Sequence, residues 1–114
     1  MIHDNDYVRD MLLEFEKSDE WFMVVALYVG ATPDEEKKFA HCELLVDVGL
    51  FQQYENHAYR MTSKGYDFVQ AIRDEDDWIK TKALALTTGG ATLEVVKDVA
   101  LSLMKQKIPE TIAI

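Results

Sequence analysis

The side chains that could ligate a metal or act as nucleophiles are few and unfavourably spaced. They are three histidines and one cysteine: His3, His41, His57 and Cys42. His41 and Cys42 are neighbours in a predicted helix, so their side chains point about 100° apart and do not readily share one metal ion. A nucleophilic cysteine needs a positioned base and a lowered thiol pKa, whereas the adjacent Glu43 opposes thiolate formation. We therefore expect no metal site, an ordinary and partly covered Cys42, and a His41 that is hydrogen-bonded in the core or in an interface.

Two further motifs are explained better by helix ends than by catalysis. The acidic run at residues 74–77 lacks the spaced glycine and terminal glutamate of a calcium loop, and carboxylates suit the first turn of a helix. Gly89 and Gly90 are typical of a helix end, because no strand precedes them and no Lys-Ser/Thr pair follows. The sequence thus predicts no cofactor and no catalytic group, and we expect a protein that is not an enzyme.

Length and composition predict one folded domain in the cytoplasm. The chain has 114 residues, and 48% of them are apolar, which is enough for one core. No segment approaches the roughly 20 apolar residues that span a bilayer, and the acidic start lacks the basic and apolar parts of a secretory signal. A single cysteine fits a reducing compartment. We predict a single domain over residues 1–114, with a core at 1–73 and a helical extension at 74–114 that is a candidate dimerisation element.

The negative charge is concentrated near the start of the chain. The formal net charge is −9. Residues 1–36 contain ten carboxylates and two basic side chains, a net charge of −8, and residues 37–114 have a net charge of −1. A field of this sign repels a phosphate backbone at long range. Nucleic acids and anionic membranes are therefore disfavoured as partners, although solubility alone also accounts for the acidity.

Hydrophobic periodicity and capping signals predict five helices and three strands. The predicted helices lie near residues 5–17, 33–48, 62–73, 74–88 and 92–107, and the predicted strands near 21–29, 50–54 and 58–62. Thr32, Pro33 and Glu35 are typical of a capping box. The apolar run 21–29 is expected to be a buried strand, and Pro109 is expected to close the last helix.

This order of elements, helix, strand, helix, hairpin and helix, is similar to that of a winged helix. The segments MTSKGYDFVQAIRD at 61–74, WIKTK at 78–82 and FAHCELL at 39–45 resemble domain of unknown function 2513, a family of small bacterial and phage- or prophage-associated proteins. The likeness covers most of the chain. The resemblance implies an α+β, winged-helix-like fold with two additional C-terminal helices, and it implies no established activity.

The second predicted helix decides between DNA and protein as the partner, because a DNA-binding winged helix presents Lys or Arg there to the major groove. Helical spacing gives an inward face of Lys37, Ala40, His41, Leu44, Leu45 and Val48, and an outer face of Glu35, Glu36, Phe39, Cys42, Glu43 and Val46. The outer face contains no basic residue. We predict a protein-contact patch at Glu35, Glu36, Phe39, Glu43 and Val46; alternatively, another part of the chain covers Phe39 and Val46.

The last predicted helix is apolar over roughly two-thirds of its circumference, which is more than one core-facing stripe requires. Either it is buried centrally, or one side packs on a partner, for which a homodimer is the economical form. The candidate dimerisation residues are Val95, Val99, Leu101, Leu103 and Met104.

Taken together, these patterns favour a protein that works by binding an unidentified protein partner. In a phage or prophage setting it would be an adaptor or an inhibitor of a host system, with an acidic surface able to mimic a nucleic acid. The alternative is a transcriptional regulator that binds DNA across a dimer through Lys37, Lys38, Arg60, Lys64 and the lysines of the last helix. A third possibility is a structural subunit of a larger particle.

Overall fold

The computed structural model describes residues 3–25, 28–55 and 57–112, with the side chains of the last helix as far as Gln106. Over these residues the chain forms five helices and one three-stranded antiparallel sheet, so the α+β prediction is confirmed. The helices are α1 (Asn5–Lys17), α2 (Pro33–Asp47), α3 (Ser63–Ile72), α4 (Glu75–Thr88) and α5 (Leu93–Ile112), and the strands are β1 (Met23–Val24), β2 (Phe51–Tyr54) and β3 (Ala58–Met61). None of the helices described combines the length and apolar character that a bilayer crossing requires.

The chain divides into two compact units, unit 1 (Met1–Tyr66) and unit 2 (Asp67–Ile114). Unit 1 contains α1, α2, the sheet and the first turn of α3. Unit 2 contains the remainder of α3 with α4 and α5. The division falls inside α3, whereas the predicted helical extension begins at residue 74. The single domain over 1–114 stays a prediction.

Helix α1 is positioned by its cap and by one buried face. The Tyr7 N–H donates to Asp4 Oδ1 at 3.0 Å, which satisfies one of the unpaired donors at the helix start. This hydrogen bond, supported by Lys37, lowers the pKa of the Asp4 carboxyl despite its partial burial. The buried side chains of α1 are Val8, Met11, Leu12 and Phe15. They recur at helical spacing and form the single core-facing stripe that the sequence predicts.

Helix α2 begins with the predicted capping box. The Glu35 N–H donates to Thr32 Oγ1 at 3.2 Å, and the Thr32 N–H donates to Glu35 Oε1 at 3.1 Å. The Tyr28 hydroxyl adds a third bond, donating to Glu35 Oε2 at 2.7 Å. This bond from Tyr28 is the main reason that the pKa of Glu35 is lowered. The start of α2 is therefore joined to the segment that precedes it.

Helix α2 ends at a glycine that turns the chain into the hairpin. Gly49 has a φ of 81°, a conformation that costs glycine little. Its N–H donates to the Val46 carbonyl at 3.0 Å, and the Leu50 N–H donates to the Leu45 carbonyl at 2.9 Å, as in a Schellman motif. β2 follows at once, and its hairpin with β3 confirms the predicted pair of strands. Asn56, between the two strands, lies outside the described residues.

The sheet has the strand order β1-β3-β2, with β3 in the centre. Phe51 pairs with Met61, and Tyr54 pairs with Ala58 on the same two strands. Phe51, Tyr59 and Met61 are buried on one face. Because side chains alternate along a strand, Ala58 and the residues that pair with it on β1 and β2 lie on the opposite face of the sheet.

The buried strand predicted over residues 21–29 is wrong. β1 contains only Met23 and Val24, and the side chains of Trp21 and Val29 are largely exposed. Val25 is buried, whereas residues 26 and 27 lie outside the described part of the chain. The physical reason is that β1 is an edge strand with β3 on one side only, and β3 spans just four residues. The chain has left the sheet before it reaches the cap of α2.

In unit 2, α4 and α5 pack together and bury a small number of side chains from each helix. The buried residues of these helices are Trp78, Thr81, Ala85, Leu93, Val96, Lys97 and Ala100. The predicted end of the last helix at Pro109 is wrong, because α5 continues to Ile112. A proline removes one backbone hydrogen bond, and its ring crowds the carbonyl four residues earlier; at Pro109, three residues before the end of α5, the helix nevertheless continues.

Candidate functional site

His41 is a fully buried histidine that joins α1 to α2. Its Nε2 accepts a hydrogen bond from the Asp4 N–H at 3.0 Å, and its Nδ1 lies 2.7 Å from the Lys37 carbonyl. These partners assign the proton to Nδ1, which donates to the carbonyl. The prediction of a hydrogen-bonded core histidine is confirmed. Within the described residues no group of three His, Cys, Asp or Glu side chains is placed to hold a metal ion.

Cys42 is also fully buried, and its predicted position on the outer face of α2 is wrong. The reason is that β1 covers this side of the helix, so the Cys42 Sγ lies 3.7 Å from the Met23 Sδ. Burial raises the pKa of the Cys42 thiol to about 12, with Glu43 adding to the shift and Lys38 opposing it. A thiol of this kind is a poor nucleophile near neutral pH.

We expect Cys42 to resist alkylation in the folded protein. At about pH 8, iodoacetamide should modify it at least about a hundredfold more slowly than in the urea-unfolded chain, because burial suppresses the thiolate and blocks access. Mass spectrometry of timed samples measures both rates. Equal rates in the folded and unfolded protein would contradict the buried position.

Only part of the outer face predicted for α2 is available to contact a partner. Two of its carboxylates are engaged within unit 1: Glu35 caps the helix, and Glu43 accepts a hydrogen bond from the Tyr59 hydroxyl at 2.5 Å. Burial, together with this bond, raises the pKa of Tyr59. Phe39 and Val46 are half-buried, whereas Glu36 is exposed. Glu36 and Phe39 line a shallow concavity together with Tyr28 and Val29, so the structure brings together two of the five predicted contact residues at one place.

The basic residues of the DNA-binding alternative lie on three different elements. They are Lys37 and Lys38 on α2, Arg60 on β3 and Lys64 in the first turn of α3. The Lys37 Nζ lies 3.5 Å from Asp4 Oδ2 and 4.4 Å from the centre of the Tyr7 ring. The Arg60 Nε donates to Gln52 Oε1 at 2.9 Å. Both side chains are therefore held by neighbours in unit 1.

The side chains of the dimerisation candidates on α5 are neither fully buried nor fully exposed. Val95, Val99, Leu101, Leu103 and Met104 are all half-buried. Among the side chains of unit 2 that the structure describes, the exposed large aliphatic ones lie on α4 instead, at Ile79, Leu84 and Leu86. The homodimer stays a prediction.

The outward face of the sheet carries a continuous apolar surface that the sequence reading missed. Val24 pairs with Ala58, and Ala58 pairs with Tyr54, so the three lie in one row across the sheet. The Phe22 ring packs edge-on against the Tyr54 ring, with centroids 5.2 Å apart. Phe22, Val24 and Tyr54 are 43%, 75% and 48% exposed. We call Phe22, Val24, Tyr54 and Ala58 the sheet patch.

A groove between α1 and β1 adjoins the sheet patch. It encloses about 340 Å³, and its lining includes Phe22 and Val24 on the β1 side. Met11 and Phe15 of α1 provide apolar surface, and the charged lining residues are Asp10, Glu14, Glu20 and Lys38. Three carboxylates against one ammonium group make this groove negative. We call it the acidic groove.

A sequence signal for these two surfaces exists, but it is weak. Both apolar strands and exposed patches are rich in aromatic and β-branched residues. Two features indicate that the run 21–29 is not wholly buried. Acidic residues directly precede Trp21, and the capping box of α2 follows the run closely. The acidic groove also needs α1 beside β1, which no local pattern specifies.

The comparisons with known proteins agree with the resemblance seen in the motifs. Residues 3–91 match the model of a family described as Hypothetical protein (DUF2513). No curated protein and no solved structure matches the chain. Because the match covers well over half of the sequence, this chain belongs to the DUF2513 family.

Proposed function

We propose that this DUF2513 protein acts by binding another protein through unit 1 and has no enzymatic activity of its own. The observation that carries this proposal is the sheet patch, in which Phe22, Val24 and Tyr54 are exposed and contiguous. Aromatic and apolar anchors surrounded by polar groups are typical of the energetically dominant part of protein interfaces. Contiguous exposed apolar patches with a polar rim mark sites of protein interaction in soluble proteins.

We also infer a winged-helix-like arrangement for the elements from α1 to β3. The placement of β1 beside β3 supports it, as does the direct passage of α2 into the hairpin. The first turn of α2 contains Asp34, Glu35 and Glu36, and its last turn contains no basic residue. These charges oppose insertion of α2 into a DNA groove and favour a partner with a basic surface.

The partner that best fits these charges is a protein that itself binds nucleic acid or another polyanion. The ten carboxylates of residues 1–36 give unit 1 the same sign of charge as a phosphate backbone, and complementary charge steers association. In a phage or prophage setting, the protein would then act as an adaptor for, or an inhibitor of, a host protein. The DNA-binding alternative requires instead that Lys37, Lys38, Arg60 and Lys64 outweigh those carboxylates.

Affinity capture from a bacterial lysate tests the proposal when a patch variant is compared with a control. In the patch variant, Phe22→Ser and Tyr54→Ser are combined; the control is Leu86→Ser, a residue of unit 2 that is 67% exposed. Proteins retained by the wild type and the control should be recovered at least about tenfold less with the patch variant, because each truncated anchor costs about 1 kcal/mol or more.

Two outcomes would contradict this proposal. One is equal recovery of the same proteins by the patch variant and the control. The other is micromolar or tighter, salt-sensitive binding of the wild type to random duplex DNA in a gel-shift assay, which would favour the transcriptional regulator.

A further inference from the structure

Within the part of the chain that the structure describes, β1 has a neighbouring strand on one side only, so its other edge is free. Met23 pairs with Tyr59 and Val24 pairs with Ala58 in an antiparallel register, and the Val25 N–H donates to the His57 carbonyl at 2.8 Å. In such a ladder, every second residue directs both its N–H and its C=O towards the partner strand. Val25 is one of these residues, so the N–H and C=O of the preceding residue, Val24, point away from β3 and out of the edge of the sheet.

The acidic groove runs along this same edge. Phe22, Met23 and Val24 line it on one side, and residues of α1 line it on the other. Its volume of about 340 Å³ can receive part of an extended chain, which lies about 4.8 Å from the strand with which it pairs. A chain added here would have one face towards α1 and would continue the sheet patch with its other face, because side chains alternate along a strand.

The two faces of such a chain would meet different chemistry. Towards α1 it would meet the carboxylates of Asp10 and Glu14 and the apolar surface of Met11 and Phe15. Towards the sheet patch it would meet Phe22 and Val24, the two patch residues that also line the groove. Basic side chains complement the first surface and apolar side chains the second, so the groove selects an extended sequence in which the two types alternate.

We propose that the acidic groove binds an extended segment of a partner protein, in which lysine or arginine alternates with apolar residues, by adding that segment to the free edge of β1. This inference rests on the proposed function and specifies the site and the chemistry of the partner. The backbone of the segment would pair with the Val24 N–H and C=O, as in other cases of strand addition to a sheet edge.

A synthetic peptide provides the test. A fluorophore-labelled peptide of about six residues, alternating lysine and valine with blocked ends, is titrated with the full chain, and fluorescence polarisation reports binding. Val24→Pro removes an N–H that β3 does not use, and proline is tolerated at a sheet edge. We expect this variant to bind about tenfold more weakly, the loss that one or two hydrogen bonds bring. Val24→Thr keeps the N–H and should stay within about twofold of the wild type.

Three further measurements make the result decisive. A peptide N-methylated at the amides that would pair with β1 should bind the wild type about tenfold more weakly, which tests the pairing even if Val24→Pro does not fold. Glutamate in place of lysine should abolish binding, and added salt should weaken it. Equal affinity of Val24→Pro and Val24→Thr in folded protein, or of the methylated and unmethylated peptides, would overturn strand addition. If the lysine–valine peptide does not bind but the Phe22/Tyr54 variant still loses its captured proteins, this inference fails and the proposed function stands.

Discussion

Replacement of Gly65 by alanine is expected to destabilise the protein by about 3 kcal/mol. A Cβ at this position would collide with the Leu50 carbonyl oxygen and would lie 2.5 Å from the Met61 Cγ. The carbonyl cannot easily move aside, because it accepts hydrogen bonds from the Thr62 N–H at 3.0 Å and from the Thr62 hydroxyl at 3.1 Å. The first turn of α3 therefore approaches Leu50, directly before β2, at a distance that only glycine permits.

Urea unfolding followed by circular dichroism measures this effect, and Gly89→Ala is the matched control. A Cβ at Gly89 would have its nearest neighbour, Val95 Cγ2, at 3.8 Å, which is ordinary contact, so we expect a change within about 0.5 kcal/mol. Helix propensity alone predicts that alanine at position 65 stabilises α3 by about 1 kcal/mol. A Gly65→Ala protein as stable as the wild type, or more stable, would thus contradict the close approach.

We expect His41→Ala to cost about 3 kcal/mol of unfolding free energy, from the cavity left behind and from the unpaired Asp4 N–H. His41 is fully buried, and it joins the cap of α1 to α2 through Asp4 and Lys37. The ring also packs against Tyr7, with centroids 4.7 Å apart. The loss should therefore appear both as lower stability and as fraying of the start of α1.

The same denaturant titration measures this change, with Glu36→Ala as the control on the same helix. Glu36 is exposed, so its substitution should stay within about 0.5 kcal/mol of the wild type. Amide hydrogen exchange at Tyr7 and Val8 tests the local effect: faster exchange is expected in His41→Ala and not in Glu36→Ala. Unchanged stability together with unchanged exchange would show that His41 does not hold the two helices together.

The elements that could be predicted from the sequence are those that depend on interactions or apolar spacing between residues close together in the chain. The capping box at Thr32 and Glu35 and the glycine end at Gly49 both join groups close together in the chain, so their residue types are sufficient to identify them. The buried stripe of α1 follows from helical periodicity in the same way. The DUF2513 resemblance depended on motifs of this local kind.

The features that could not be predicted depend on which elements lie side by side. Cys42 is buried because Met23 of β1 covers its side of α2, and Asp4 at the start of α1 contacts the adjacent His41 from another direction. A helix covered from two directions has a wider buried arc than one apolar stripe indicates. The acidic groove is of the same kind: the concentration of charge is visible in residues 1–36, but the cavity exists only because α1 lies beside the edge of the sheet.

The hydroxyl bond from Tyr28 to Glu35 has a consequence for how the protein opens locally. Glu35 uses one carboxylate oxygen to accept from the Thr32 N–H and the other to accept from the Tyr28 hydroxyl. The same side chain therefore caps α2 and holds the segment that precedes it. Rotation of that carboxylate away from the cap would free the Thr32 N–H and release the Tyr28 hydroxyl in the same event. The two segments should therefore fluctuate as one cooperative element of low stability, next to a firmly packed core.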